Sequence, residues 1–341
     1  MLLVLIATGI NLRTEAAHKY MTINTATFFF ERASYLEKNG RYPTVDETSF
    51  APLTRAEDYP PGLAYAAVTA YRVTKPFHKY NFYEFAAIFP VGMYIVILLA
   101  GYWCITKMYS RPAGLIFAAL FTILPAAVKL TSALYFTSES VGIFLFLIST
   151  FFVIKIEEQP LLYTALSIIS VTFFVLTYQL FIPFLIVIAI VTVTRSERKN
   201  LALAYISVLI LPLIIGHLIS REVVGIDYSP FNVFRELFIG ISESKTEHYK
   251  MAMGRTKLKP LDLAGYERNF SWIIIPLLFA GLIACIRKIK TTAYLIPLLA
   301  CIIGMTLAFH YLKYRFIALP FMLVVSAIGW DFLYNILHPD K

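Results

Sequence analysis

Residues 84–106 read EFAAIFPVGMYIVILLAGYWCIT, an apolar run whose only charge is Glu84 at its start. A helix rises about 1.5 Å per residue, so this run reaches the roughly 30 Å thickness of a bilayer's hydrocarbon core. Working outward, similar apolar segments lie at 112–130, 138–156, 160–179, 181–194, 200–219, 271–286, 291–310 and 314–337, and the chain opens on another at 1–12. Lipid offers no partner to an exposed N–H or C=O, so helices are the default way to span it. The pattern predicts an all-α polytopic membrane protein of about ten transmembrane helices. It is read as one transmembrane domain over 1–341, with two large outer loops at 13–83 and 220–270.

Composition agrees. The chain is 59% hydrophobic and only 15% charged, with a mean hydropathy of +0.70. Soluble domains carry about a quarter charged residues. The net charge of +9 does not indicate nucleic acid, because Lys and Arg sit in short loops and juxtamembrane segments rather than in a basic stripe. Cys104, Cys285 and Cys301 all fall in apolar segments without metal-ligand spacing and read as small buried hydrophobes.

Lys107 and Arg111, then Lys155, then Arg195, Arg198 and Lys199, then Arg287, Lys288 and Lys290 mark every second loop as basic. Positive charge in short loops marks the cytoplasmic side, which places both termini there and both large loops outside. The first apolar segment is odd: about twelve residues cannot cross a bilayer. Either the true start lies upstream of Met1, the preferred reading, or the first helix is half a span. A basic n-region and a cleavage site, the marks of a secretory signal, are absent.

Within the first outer loop, residues 28–36 place apolar and aromatic side chains on one helical face, and Asn39-Gly40 makes a reasonable C-cap. A helix lying at the membrane interface is expected, with Glu31 and Arg32 on its polar face. Arg41-Tyr42-Pro43-Thr44-Val45-Asp46-Glu47 follows, then Asp58-Tyr59-Pro60-Pro61-Gly62, whose paired prolines force an extended turn before the next helix.

The order FFFERASYLEKNGRYPTVDE (28–47) and then DYPPGLAYA (58–66) after an opening span resembles the start of GT-C membrane glycosyltransferases. The likeness is strongest to the transmembrane part of archaeal and bacterial oligosaccharyltransferase catalytic subunits. Three further short elements resemble that family in order and sidedness. Thr137-Ser138-Glu139 stands at a D-x-D or D-x-E position, Ile241-Ser242-Glu243 at a Ser-x-Glu-like element, and Tyr314-Arg315-Phe316 at a phosphate-binding Arg. Two departures matter: Thr25 aligns with a family Asp, and Thr137 with the first acid of the second motif. The family's soluble domain with its WWDYG motif is not among these residues, so a complete protein oligosaccharyltransferase is not expected from this chain alone.

The resemblance implies sugar transfer from a polyprenyl-phosphate or pyrophosphate donor on the outer face. Such chemistry needs a carboxylate as base or metal ligand and cations for the departing phosphate. It implies Glu139, Asp46 and Glu47 as catalytic candidates, Arg315, Lys313, His310, Glu243 and Lys129 as substrate-binding candidates, and Glu139 with Glu243 as ligands of Mg²⁺ or Mn²⁺. Each has a plainer reading. Glu139 suits the first turn of a helix, where the dipole favours an acid. Arg315, Lys313 and Lys129 suit snorkelling cations, and the loop acids suit solvation. The partners implied are a lipid-linked sugar donor, membrane lipids and a membrane protein that supplies missing groups. A non-catalytic scaffold of the same fold and a lipid-linked sugar transporter are the competing classes; few buried charges and no clear inverted repeat speak against the transporter.

Overall fold

The computed structural model describes residues 1–15, 24–46, 55–56, 59–178, 182–226, 228–231, 271–272, 274–310 and 315–338. In chain order the helices are α1 (Leu2–Glu15), α2 (Asn24–Asn39), α3 (Gly62–Thr74), α4 (Phe82–Met108), α5 (Arg111–Ile123), α6 (Pro125–Leu130) and α7 (Ser138–Lys155). They continue as α8 (Pro160–Thr177), α9 (Ile182–Thr194), α10 (Lys199–Leu218), α11 (Ile274–Arg287), α12 (Thr292–His310) and α13 (Arg315–Leu337). Val45–Asp46 and Arg55–Ala56 form a two-residue antiparallel pair, β1 and β2, between α2 and α3. Among the described residues the other elements are helices, and each apolar segment of the sequence is largely helix. Among the described residues five helices are long and apolar enough to cross a membrane, and four shorter apolar ones accompany them. At 14 residues, α1 is about 21 Å long, short of a full crossing.

The segment 112–130, read as one span, breaks into α5 and α6 at Leu124-Pro125. Pro125 has no N–H to offer the Phe121 carbonyl, and Leu124 is pushed to an extended conformation (φ −65°, ψ 130°) as residues before proline are. Arg13, fully buried at the end of α1, fills the gap. It donates to the carbonyls of Phe121 (2.9 Å), Thr122 (3.2 Å) and Gly9 (3.1 Å) and to Thr131 Oγ1 (2.6 Å). Its guanidinium lies 3.6 Å from the Tyr94 ring centroid.

Lateral contacts fix which ends of the helices share a side. Arg195, after α9, donates to the Lys290 carbonyl (2.7 Å) and to Thr292 Oγ1 (2.9 Å) at the start of α12. Thr292 donates to Glu157 (2.5 Å), which follows α7 and pairs with Arg195 at 3.4 Å. Tyr109, after α4, bonds the Ala293 carbonyl, and Ser110 bonds Asp331 near the end of α13. The four basic loops and the final turns of α13 therefore meet at one end of the bundle.

Close helix approach rests on glycine. A Cβ on Gly281 (α11) would meet the Val325 carbonyl oxygen of α13 at 1.9 Å, and one on Gly329 (α13) would meet that of Leu277 at 1.9 Å. Small residues serve this purpose where lipid supplies no hydrophobic drive between helices.

Two apolar cores result. The larger fills the bundle, from Tyr94, Phe117 and Phe121 to Leu319 and Val325. The smaller joins Ala26, Phe29, Ala33 and Leu36 of α2 to α3, the start of α4, Phe136, Val141 and Tyr228. The spacing of the α2 residues is one face of a helix. Arg32, expected on the polar face, is instead buried with its guanidinium 3.2 Å from the Phe28 ring centroid. An aromatic ring offers a cation a partner that a polar-face argument ignores. The helix ends before Gly40, which takes φ +70°. The three cysteines are free and buried.

Candidate functional site

Glu139 lies in the first turn of α7, half-buried, at the end of the bundle opposite the basic loops. The turn leading to it is tightly held. Ala133 N–H donates to the Arg13 carbonyl (3.2 Å), Leu134 N–H to the Ala87 carbonyl of α4 (2.7 Å), and Tyr135 N–H to the Ser132 carbonyl (3.1 Å). Leu134 takes φ +68°, a left-handed conformation costly for a branched side chain and held here by contacts from two helices.

Beyond it the chain straddles both cores. Tyr135 and Ile143 belong to the bundle core, Phe136 and Val141 to the outer core. Glu139 thus sits at the seam where the smaller core meets the larger one. Burial, and then the charge of Glu139, push the Tyr135 phenol well above its usual pKa, so it stays protonated. One turn further along, Gly142 lets Tyr178 approach from α8; a Cβ there would meet its ring at 2.9 Å. Thr137, the N-cap of α7, is buried, and its hydroxyl makes no hydrogen bond and does not cap the helix.

The other proposed residues are placed unevenly. Phe146 and Phe321 meet edge-to-face at 4.3 Å, which aligns α7 with α13. Counting back, Glu139 lies about 10 Å and Arg315 about 9 Å outward of that contact along their helices, so the two first turns share a depth. His310 ends α12 and Arg315 begins α13. Asp46 lies on β1. The side chains of Asp46, His310 and Arg315, and all of Glu47, Glu243 and Lys313, lie outside the described residues, as does the side chain of Thr25. Lys129 is exposed on the last turn of α6, at the same end as Glu139. Among the described residues no three His, Cys, Asp or Glu side chains cluster as metal ligands. The described donors therefore do not by themselves make a divalent-cation site. Sequence reasoning missed Arg13 and Tyr135: an arginine closing an apolar run reads as a membrane-end cation, and nothing local marks its partners 108 to 118 residues away.

No protein-family model and no curated protein sequence matches the chain. Solved structures do. An oligosaccharyltransferase from Archaeoglobus fulgidus, in complex with Zn and sulfate, superposes with a TM-score of 0.75 at 14% identity, covering 99% of this chain and 49% of its own. The chain has the GT-C fold. The AglB oligosaccharyltransferase of the same organism, bound to an inhibitory peptide and a dolichol-phosphate, gives 0.71 at 12% identity, covering 99% and 50%. ArnT from Cupriavidus metallidurans, bound to undecaprenyl phosphate, gives 0.61 at 12% identity, covering 97% and 58%. The chain spans about half the length of these structures.

Proposed function

We propose that this GT-C chain is a membrane glycosyltransferase that takes a sugar from a polyprenyl-phosphate or pyrophosphate donor at the non-cytoplasmic face. The observation that carries the reading is the likeness over 99% of the chain to a fold solved with dolichol-phosphate. Glu139, at the seam of the two cores, supports it. In this reading the basic end of the bundle faces the cytoplasm, following the distribution of Lys and Arg.

The acceptor's nucleophile bonds to the anomeric carbon while the bond from that carbon to the donor's phosphate oxygen breaks, and the phosphate keeps the electron pair. Glu139 takes the acceptor's proton. Arg315, Lys313 and His310, with Lys129 nearby, stabilise the charge gathering on the departing phosphate. Asp46, Glu47 and Glu243 complete the acidic set, and Mg²⁺ or Mn²⁺ is the cofactor to test. A second reading, a non-catalytic oligosaccharyltransferase-like partner of another membrane protein, is favoured by one observation: the position before Ser138 is a threonine whose hydroxyl has no hydrogen-bond partner.

The test is binding and turnover of polyprenyl-phosphate and pyrophosphate sugars by purified protein in nanodiscs, with and without Mn²⁺. Turnover that Glu139→Gln abolishes, with membrane insertion intact, is the expected result. Donor binding without turnover across a range of acceptors would favour the non-catalytic partner, and wild-type turnover in Glu139→Gln would remove the acid from the mechanism.

A further inference from the structure

The corner between α3 and α4 carries exposed apolar surface next to exposed positive charge. Phe77 is 87% exposed, Val73 66%, Tyr80 50% and Tyr83 49%. Lys75 and Lys79 flank Phe77, both exposed, and among the described residues no carboxylate lies in ion-pair range of either; the Lys75 ammonium stands 5.4 Å from the Tyr71 ring centroid. The corner is rigid: Lys75-Pro76-Phe77 form one 3-10 turn, and the His78 ring stacks on Phe85 at 5.7 Å. Asn81 and Glu84 then exchange two hydrogen bonds of 2.9 Å as a capping box that starts α4.

Its height follows from α4. That helix has 27 residues, and its uncharged run between Glu84 and Lys107 is about 33 Å long, close to the roughly 30 Å of hydrocarbon; with that run across the hydrocarbon, its first turn reaches the headgroup layer. Phe77 stands only four residues upstream of Asn81, beside the same layer. Water there would face a phenylalanine almost wholly uncovered, whereas the headgroup layer suits Tyr rings, an inserted Phe and lysines beside phosphates.

We propose that Phe77, Val73, Tyr80 and Tyr83, with Lys75 and Lys79, form an anchor that seats the outer domain on anionic phospholipid headgroups of the outer leaflet. Tyr71 joins the anchor to the outer core through edge contacts with Phe82 (5.3 Å) and a tilted contact with His78 (5.9 Å). Insertion of Phe77 therefore fixes the height of the core that borders Glu139. The inference holds whatever reaction the chain performs.

The test is a nitroxide label on Phe77→Cys in nanodiscs, feasible because the native cysteines are all buried. Collision rates with oxygen, which concentrates in lipid, and with a water-soluble nickel chelate report the label's depth. Val96→Cys on the exposed face of mid-α4 and Lys38→Cys on exposed α2 set the lipid and water limits. The anchor predicts a depth between those limits and well toward Val96. It is expected to deepen when phosphatidylglycerol is mixed into phosphatidylcholine, and the Lys75→Glu, Lys79→Glu double variant should lose that deepening. A label as open to nickel as Lys38→Cys overturns the proposal, since Phe77 then stands in water. Low access to both reagents overturns it too, because a second copy or a protein partner then covers the corner. An equal depth in both lipids overturns the anionic preference.

Discussion

Arg13→Met tests whether a buried cation holds the α5–α6 break. Methionine matches much of the arginine's length and apolar bulk, so the change chiefly removes donors. The carbonyls of Phe121 and Thr122 then lose their bonds of 2.9 and 3.2 Å, and Pro125 has no N–H to give Phe121. Each buried carbonyl left unpaired costs about 1–3 kcal/mol, so about 2–6 kcal/mol is at stake. Loss of the cation over Tyr94 adds up to about 2 kcal/mol. Against this, removing a buried charge that faces no carboxylate among the described residues relieves its desolvation, which offsets part of the sum. The orphaned carbonyls decide the sign, and the variant should be less stable. The assay is thermal unfolding in one fixed detergent, read as the fraction remaining monodisperse, with a fall of at least about 5 °C expected. Pro125→Ala restores an N–H within reach of the Phe121 carbonyl, so in the Pro125→Ala background Arg13→Met should cost at least about 1 kcal/mol less. An Arg13→Met protein as stable as wild type, or a cost unchanged by Pro125→Ala, would refute the reasoning.

Two other outcomes follow from the bundle. Gly329→Ala places a methyl 1.9 Å from the Leu277 carbonyl oxygen, which α11 and α13 must separate to relieve, so stability should fall by about 1–3 kcal/mol in the same unfolding assay. Gly92→Ala, which meets nothing within 4 Å, is the control and should leave the midpoint unmoved. Arg195→Ala severs the contact from the α9–α10 loop to Glu157, Thr292 and the Lys290 carbonyl. Hydrogen exchange at 288–292 and 156–159 should rise while α4 and α5 stay protected, and unchanged exchange would show that the three loops hold without it.

The order of helices, their apolar character and the alternation of basic loops were legible in the sequence, because bilayer thickness and the cost of unpaired backbone groups act on every segment independently. The place of Glu139 in the first turn of a helix was legible for a related reason: a Thr-Ser-Glu start to a helix is a local signal. The α5–α6 break was written locally in Pro125, yet a run of apolar residues masks it to a reading of hydropathy alone. Arg13, the Leu134 turn and the burial of Arg32 depend instead on carbonyls and rings brought from distant positions. Hydrogen-bond satisfaction of a buried cation is a property of the assembled fold, and no window of sequence contains it. The meeting of the outer core with the bundle at Glu139 was decided in the same way, by packing of α2 and α3 against α4 and α7. The tertiary structure determined where the acid stands, and the sequence alone determined that helices would carry it to the membrane's edge.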